Sequence, residues 1–261
     1  MAKPFAELEH GLPKILFLDI ETFPNIAYVW GKYDQNVIRF LKEGCIATYA
    51  AKWAGGKVFS KSLTSYKGYK PGSYDDKKLV EDLWKLMDEA DIVVAHNGDD
   101  FDLRVIRARF IYYGLKPPSP VKTVDTKKVA RRVARFNSNK LDDLGSLLGI
   151  GKKIKTDFDL WDGCINGDKT SWKQMISYNQ KDVILLEKLY NKLLPWIASH
   201  PNHGVYNPDA VCPKCGGADV QLRGVAITTT RTYQRFQCKK CGGWGRFSKG
   251  TTVAKAQNSG V

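Results

Sequence analysis

A short apolar stretch that carries two carboxylates constrains this 261-residue chain more than any other feature. Residues 15–22 read Ile-Leu-Phe-Leu-Asp-Ile-Glu-Thr, which predicts a buried β-strand. Successive side chains of a strand point to opposite faces, so Asp19 and Glu21 leave it on the same face. Two like charges directed at one small volume repel, and such a pair either shifts in pKa or holds a cation. Many strands end in acidic residues that only meet water, so a site needs further ligands from elsewhere in the chain.

The composition is typical of a soluble globular protein, with 43% hydrophobic and 11% aromatic residues. No apolar run approaches the roughly 18 residues of a membrane span, and the first seven residues lack the apolar core of a signal peptide. A cytoplasmic protein with no membrane partner is therefore expected. Cys45 and Cys164 stand alone and are expected to be reduced core residues.

The net charge of +14 is unevenly distributed. Residues 201–261 contain nine Lys and Arg against two acids, which gives +7 and half of the whole excess. A second basic region lies between Lys116 and Lys140, where six cations are opposed only by Asp125: Lys122, Lys127, Lys128, Arg131, Arg132 and Arg135. Such fields favour a polyanionic partner such as nucleic acid. A solubilising surface is the alternative interpretation.

Strand patterns come first in the chain, and alternating strand and helix patterns follow. After the acidic strand, further strands are predicted at 25–30, 45–53 and 57–60, in an antiparallel meander. The later pattern predicts a helix at 75–90, a strand at 91–95, a helix at 101–113, a strand at 121–124, helices at 126–135 and 141–148, an irregular segment at 150–167 and a long helix at about 172–197. This order indicates an α/β fold with a mixed sheet flanked by helices.

Two later places offer the missing ligands. Asp102 lies just past the strand at 91–95, where open α/β sheets expose their ligand sites, with Asn97 and Phe101 before it. Tyr178 and Asp182 are four residues apart and therefore share one face of the long helix. Capping of a helix N-terminus, and a surface tyrosine beside a solvated aspartate, are the structural alternatives.

Together these residues resemble the three motifs of the DEDDy 3′→5′ exonucleases. That family belongs to the DnaQ-like branch of the ribonuclease H-like fold, and the resemblance, strongest to relatives of the proofreading domain of family B DNA polymerases, spans about residues 14–195. It implies that two Mg²⁺ or Mn²⁺ ions are bound by four carboxylates, those of Asp19, Glu21, Asp102 and Asp182. Asp19 is the candidate for the ligand shared by both ions.

The same resemblance implies roles for the neighbouring residues. Tyr178 would orient the attacking water, whereas Asn97 and Phe101 would position the terminal nucleotide. His96 is expected to pack or to form hydrogen bonds rather than to act as a base. No catalytic role is assigned to Asp125, Asp142 or Asp143.

Four cysteines near the C-terminus form two C-x-x-C pairs, Cys212 with Cys215 and Cys238 with Cys241. The pairs are separated by 22 residues and resemble a zinc ribbon, in which four thiolates hold one structural Zn²⁺. Two disulfides or four free thiols are the alternatives. Hairpin strands are predicted at 220–222 and 226–237. Four arginines alternate with aromatic residues there and are candidate nucleic-acid contacts: Arg223, Arg231, Arg235 and Arg246.

The chain is therefore expected to contain an exonuclease domain at 14–198, a linker at 199–210, a zinc-ribbon β module at 211–250 and a disordered tail at 251–261. The expected activity is metal-dependent 3′→5′ hydrolysis at nucleic-acid ends, with single-stranded DNA favoured over RNA. A structure-selective endonuclease and a catalytically inactive nucleic-acid-binding replication adaptor remain alternatives. A separate DNA polymerase or other replication protein is an expected partner, in phage or bacterial replication or repair.

Overall fold

The computed structural model describes residues 11–33, 35–207, 209 and 211–252. These residues divide into two compact units. One unit spans Lys14–Tyr190, and the other joins residues 11–13 with the described residues from Asn191 onward. Among the described helices, none combines the length and the apolar character needed to cross a bilayer.

The larger unit is built on a five-stranded mixed sheet with the strand order β5-β4-β1-β6-β7. Its strands are β1 (Ile15–Thr22), β4 (Ile46–Trp53), β5 (Val58–Ser62), β6 (Ile92–Ala95) and β7 (Lys122–Asp125). A separate two-stranded sheet pairs β2 (Ile26–Tyr28) with β3 (Arg39–Lys42). Its helices are α1 (Lys77–Glu89), α2 (Asp102–Tyr112), α3 (Thr126–Val133), α4 (Leu141–Leu147), α5 (Phe158–Ile165) and most of α6 (Lys169–Leu193).

The central strand β1 separates two faces as its period-two pattern predicts. It pairs antiparallel with β4 and parallel with β6. The even-numbered residues Leu16, Leu18 and Ile20 are buried in a core that includes side chains of α1 and α2. The odd-numbered Phe17 packs edge-to-face against Tyr190 of α6, with ring centroids 5.3 Å apart. Asp19 and Glu21 therefore leave β1 on the face that carries α6.

Two details of the larger unit differ from the sequence prediction. The segment 150–167 is not wholly irregular, because it contains α5, which buries Leu160 and Cys164. Two buried residues in eight are too few to produce a recognisable helical pattern. Strand β2 also leaves the meander and pairs with β3 instead. All four residues of β3 are exposed, so no apolar alternation marks that strand.

The smaller unit contains a three-stranded sheet in the order β10-β9-β8, with β8 (Val220–Ile227), β9 (Arg231–Cys238) and β10 (Trp244–Thr252). The predicted strand bounds of 220–222 and 226–237 are wrong, because β8 continues past residue 222 through a bulge between Leu222 and Val225 and the turn to β9 comes only after Ile227. Strand β10 was not predicted, since Gly245 and Gly250 interrupt its pattern.

The segments that flank the ribbon also differ in part from expectation. The segment 199–210, expected to be a linker, includes a 3₁₀ turn at His203–Val205. His203 is buried, and its backbone N–H donates to Pro213 O at 2.9 Å. The first two residues of the expected tail, 251 and 252, belong to β10, and residues 253–261 lie outside the described part of the chain.

Candidate active site

Three carboxylates converge on the face of the sheet that carries α6. One carboxylate oxygen from each of Asp19, Glu21 and Asp182 lies within 4.8 Å of the others. Strand β1 supplies the first two, and α6 supplies the third. Asp182 is only 1% exposed, so its charge is held away from solvent. The structure thus brings together three of the four carboxylates that the sequence singles out.

Asp102 lies beside this group but outside its 4.8 Å cluster. It is the first residue of α2 and is buried. Its Oδ1 accepts a hydrogen bond from the backbone N–H of Ile20, at 3.1 Å. Because Ile20 stands between Asp19 and Glu21, this bond ties Asp102 to the acidic part of β1. The Asp102 charge is close enough to help raise the pKa of Asp19.

Burial and mutual repulsion disfavour ionisation throughout the cluster. Burial, followed by the neighbouring carboxylates, raises the pKa of Asp19 well above its ordinary value. Burial also raises the pKa of Glu21 to about 8, that of Asp102 to about 6 and that of Asp182 above its usual range. Asp182 Oδ1 is buried and has no hydrogen-bond donor among the described residues, whereas Oδ2 is ion-paired with Lys153. An acidic cluster with a buried carboxylate oxygen that lacks a donor fits divalent cations, which take oxygen ligands.

Lys153, which the sequence interpretation missed, supplies a cation to this cluster. Its Nζ lies 2.5 Å from Asp182 Oδ2 and donates to the Tyr178 hydroxyl oxygen at 3.0 Å. Burial disfavours the ammonium, but the Asp182 carboxylate outweighs that effect and raises the pKa of Lys153. Lys153 lies in the segment between α4 and α5, and its backbone N–H donates to Asp142 Oδ1 at 2.7 Å. No periodic pattern marks this segment, so only the structure reveals the contact.

Tyr178 stands one helical turn before Asp182 and is 9% exposed. Its ring packs edge-to-face against Trp161, with centroids 6.3 Å apart. Burial is the main cause that raises the pKa of Tyr178 to about 12, so the hydroxyl stays protonated near neutral pH. The phenol can therefore still donate its own proton to a hydrogen-bond acceptor.

Asn179 fixes the orientation of Asp19 and was also missed. It is fully buried, and its Nδ2 donates to Asp19 Oδ2 at 2.6 Å and to Asp19 O at 3.2 Å. Its Oδ1 faces the Thr48 hydroxyl at 3.4 Å. The usable sequence signal was the position of this amide directly after Tyr178, because an amide that becomes buried there needs polar partners.

The loop after β6 is shaped by hydrogen bonds to Asp125. Asn97 adopts the left-handed conformation, with φ of 68°, and its backbone N–H donates to Asp125 Oδ1 at 3.0 Å. Its side-chain Oδ1 accepts from Lys127 Nζ at 3.2 Å. Asp125 also caps α3. Phe101 is 43% exposed directly before Asp102, which leaves its ring open to a ligand.

His96 forms hydrogen bonds through both ring nitrogens, to the Thr126 hydroxyl and to the Asn139 carbonyl oxygen, each at 2.9 Å. Burial is the main cause that lowers the pKa of His96 to about 4. A neutral imidazole with both nitrogens engaged matches the expected hydrogen-bonding role rather than that of a base.

In the smaller unit, the Sγ atoms of Cys212, Cys215, Cys238 and Cys241 all lie within 4.8 Å of one another. Cys212 and Cys241 are 3.7 Å apart, and Cys215 and Cys238 are 3.6 Å apart, well beyond the roughly 2.05 Å of a disulfide. None of the four is joined in a disulfide within the described residues. A compact set of four sulfur ligands is consistent with a zinc ribbon.

Arginine side chains in the zinc-ribbon module lie over aromatic rings. Arg235 and Arg223 lie 4.9 and 6.0 Å from the ring centroid of Trp244. Arg246 lies 4.1 Å from that of Tyr233. Arg231 is exposed at the start of β9. The sequence-predicted arginines are thus at the surface, and three of them form stacked pairs.

Comparison with known proteins agrees with this fold. Residues 16–194 match the family model RNase_H_2, described as RNase_H superfamily. The chain belongs to the RNase H superfamily. This confirms the predicted ribonuclease H-like mixed sheet and places the chain in a superfamily of nucleases.

Two DNA polymerases with much longer chains contain a similar region. The DNA polymerase III PolC-type of Ureaplasma parvum serovar 3 is 24% identical over 172 residues, which cover 59% of this chain and 11% of that protein. The structure of the family B DNA polymerase from the hyperthermophilic archaeon Pyrobaculum calidifontis matches with a TM-score of 0.53 and 17% identity. That match covers 70% of this chain and 25% of the polymerase and shows a shared fold.

Proposed function

We propose that this RNase H superfamily member is a metal-dependent 3′→5′ exonuclease that hydrolyses single-stranded DNA from its 3′ end. The observation that carries the proposal is the convergence of Asp19, Glu21 and Asp182, with Asp102 and Tyr178 beside them. Neither a core nor a solvated surface needs four carboxylates around one buried volume, because their repulsion destabilises the fold unless cations are bound.

Asp19, Glu21, Asp102 and Asp182 would hold two Mg²⁺ or Mn²⁺ ions, which suit hard oxygen ligands. When bound, such ions lower the pKa of water and offset the charge that a phosphodiester gathers under attack. Asn179 holds Asp19 in place through its two hydrogen bonds. Tyr178 remains protonated and can donate a hydrogen bond that orients the attacking water.

The residues around the carboxylates are suited to hold a strand end. Phe101 offers an exposed ring against which a terminal base can pack. Asn97 offers its side-chain amide from a loop fixed by Asp125. DNA is favoured over RNA because both relatives described above are DNA polymerases. A role beside a separate polymerase in replication or repair, in the cytoplasm of a bacterium or a phage-infected cell, belongs to the same proposal.

The smaller unit would support this activity by binding DNA. One structural Zn²⁺ on the four cysteines would stabilise the ribbon, and its stacked arginines would contact phosphates and bases. A tethered second contact raises the effective concentration of substrate at the catalytic cluster. Replacing Arg235 and Arg246 with Ala should weaken DNA binding and reduce its salt dependence, and unchanged binding would remove the ribbon from the proposal.

The activity is tested with end-labelled single-stranded DNA, duplex DNA and RNA, together with circular single-stranded DNA. Each is incubated with Mg²⁺ or Mn²⁺ and either the natural chain or Asp182→Asn. Mononucleotides released from 3′ ends only by the natural chain would support the proposal. Linearised circles would support a structure-selective endonuclease, whereas binding without cleavage would support an inactive replication adaptor.

A further inference from the structure

A cationic cavity lies in the larger unit outside the carboxylate cluster. It has a volume of about 440 Å³ and is formed by residues 131–136 together with Asn139. Its polar and aromatic lining includes Arg131, Arg132, Arg135 and Phe136. We call it the arginine cavity. A volume of this size is within the range of sites that bind small ligands or single groups of a polymer.

Two arginines of the arginine cavity, Arg131 and Arg135, are exposed to solvent. Within the described part of the chain, no carboxylate forms an ion pair with Arg131 or Arg135. Asp99 and Asp100 pair with Lys128, each at 3.2 Å. Asp125 instead caps the N-terminus of α3. Exposed cations without acidic partners attract an anion from solution.

The cavity wall is connected to the loop that carries Asn97. The carbonyl oxygen of Asn139 accepts from His96 Nε2 at 2.9 Å, and His96 directly precedes Asn97. Strands β1, β6 and β7 run in the same direction, so their carboxyl ends meet at one edge of the sheet. The loop that carries Asn97 follows β6 at this edge, and Asn139, which lines the cavity, contacts that loop through His96.

The lining contains an aromatic ring and a neutral acceptor in addition to the cations that would bind a free anion. The guanidinium groups of Arg131 and Arg135 suit phosphate oxygens, which accept two parallel hydrogen bonds from each fork. Asn139 Oδ1 is buried and has no hydrogen-bond donor among the described residues. A phosphodiester offers no N–H, but a nucleobase does. Phe136 adds an aromatic ring on which a base can stack.

We propose that the arginine cavity binds the nucleic-acid strand a few nucleotides behind its 3′ end, with phosphodiesters on Arg131 and Arg135 and one unpaired base against Phe136 and Asn139. The identity of the strand rests on the proposed exonuclease function, whereas the binding site itself does not. The cavity would make affinity depend on strand length, because a very short strand cannot reach it.

The test compares the full-length natural chain with the double variant Arg131→Ala, Arg135→Ala. Fluorescent oligodeoxythymidylates of two and twelve nucleotides are titrated without added Mg²⁺ or Mn²⁺, so that binding is measured apart from cleavage. The variant should bind the twelve-nucleotide strand at least tenfold more weakly and the dinucleotide equally well. Its plot of log affinity against log salt should be shallower by about 1.4, which is about 0.7 for each of two lost phosphate contacts on a single strand.

Two further variants separate this site from a general charge effect. Arg107→Ala removes an exposed arginine of α2 that does not line the cavity, and it should leave the difference between the two lengths unchanged. Asn139→Ala should weaken binding of the longer strand without changing the salt slope, because it removes a neutral acceptor. Its hydrogen bond to His96 uses the backbone and is retained.

Equal binding of the longer strand by the natural chain and the double variant, with equal thermal midpoints, would overturn the site. The site would also be overturned if Arg107→Ala lost as much affinity for the twelve-nucleotide strand as the double variant does. Displacement of the longer strand by millimolar inorganic phosphate, with no effect of Asn139→Ala, would reduce the cavity to an anion site and reject the base contact. If the natural chain binds the longer strand more tightly but cleaves no substrate, the binding site is retained and the exonuclease proposal is rejected.

Discussion

Single residues set the charge balance of the acidic cluster, whose three carboxylates, with Asp102 beside them, face the ammonium of Lys153. Its Nζ is 2.5 Å from Asp182, so a divalent cation on Asp182 competes with it. We expect Lys153→Met to bind Mn²⁺ about tenfold more tightly by titration calorimetry. The same variant should hydrolyse DNA more slowly, because Tyr178 loses its hydrogen-bond donor.

The matched control for this prediction is Lys152→Met, which removes the exposed neighbouring cation. It should change Mn²⁺ affinity little, since charges exposed to solvent are strongly screened. If Lys153→Met bound Mn²⁺ no more tightly than Lys152→Met, Lys153 would not be a competitor of the metal.

Glu21 makes the stability of the metal-free protein depend on pH. Burial raises its pKa from 4.5 to about 8 in the folded state, so between these values the folded protein binds more protons than the unfolded chain. The free energy of unfolding contributed by this group therefore falls as pH rises through that window. We expect the thermal midpoint, without Mg²⁺ or Mn²⁺, to decrease from about pH 5 to 8. Glu21→Gln should flatten the decrease, and an equal slope in both proteins would contradict this origin.

At the scale of helices and strands, the regular elements of the site were predictable, but its connecting segments were not. The period of β1 predicted that Asp19 and Glu21 share a face, and the four-residue spacing on α6 predicted the same for Tyr178 and Asp182. Lys153 lies in a segment without periodicity, so its contact depends on tertiary packing alone. Family resemblance, rather than periodicity, joined these elements into one candidate site.

The missed elements share a physical cause. The exposed strand β3 and the short helix α5 bury few apolar residues, so neither leaves the periodic pattern from which an element is predicted. In β10 two glycines remove side chains from the alternation. By contrast, β1, β4 and β6 are almost wholly buried, which is why the mixed sheet was predictable.

A buried ion pair joins three elements of the larger unit. Asp76, directly before α1, accepts from Arg109 Nε of α2 at 2.9 Å and from the Ile46 backbone N–H of β4 at 2.8 Å. Arg109→Met would leave the Asp76 carboxylate buried without its cation. We expect the free energy of unfolding, measured in denaturant, to fall by about 3–5 kcal/mol.

A second substitution checks the cause of that loss. Asp76→Asn combined with Arg109→Met removes both charges, and the double variant should lose less stability than the two single losses added together. Strict additivity would mean that the pair does not act through its charges.

At the scale of the whole molecule, the chain joins two units that differ in what stabilises them. The family match at residues 16–194 accounts for the RNase H-like unit, which has an extended apolar core. Among the described residues of the β8–β10 sheet, the buried apolar side chains are those of Phe236 and Cys238. So small a core rarely supplies enough stabilisation by itself, and a structural metal commonly compensates.

Removal of Zn²⁺ should therefore unfold the ribbon and leave the RNase H-like unit folded. We expect calorimetry of the full chain with zinc to contain a transition that disappears after treatment with a zinc chelator, while a second transition keeps its midpoint within a few degrees. Cys238→Ser should reproduce the effect without chelator, whereas Cys164→Ser changes a cysteine outside the four-sulfur cluster and should retain the zinc-dependent transition. A single transition that shifts as a whole would instead mean that the two units unfold together, and the zinc-ribbon module would then contribute to the stability of the RNase H-like unit.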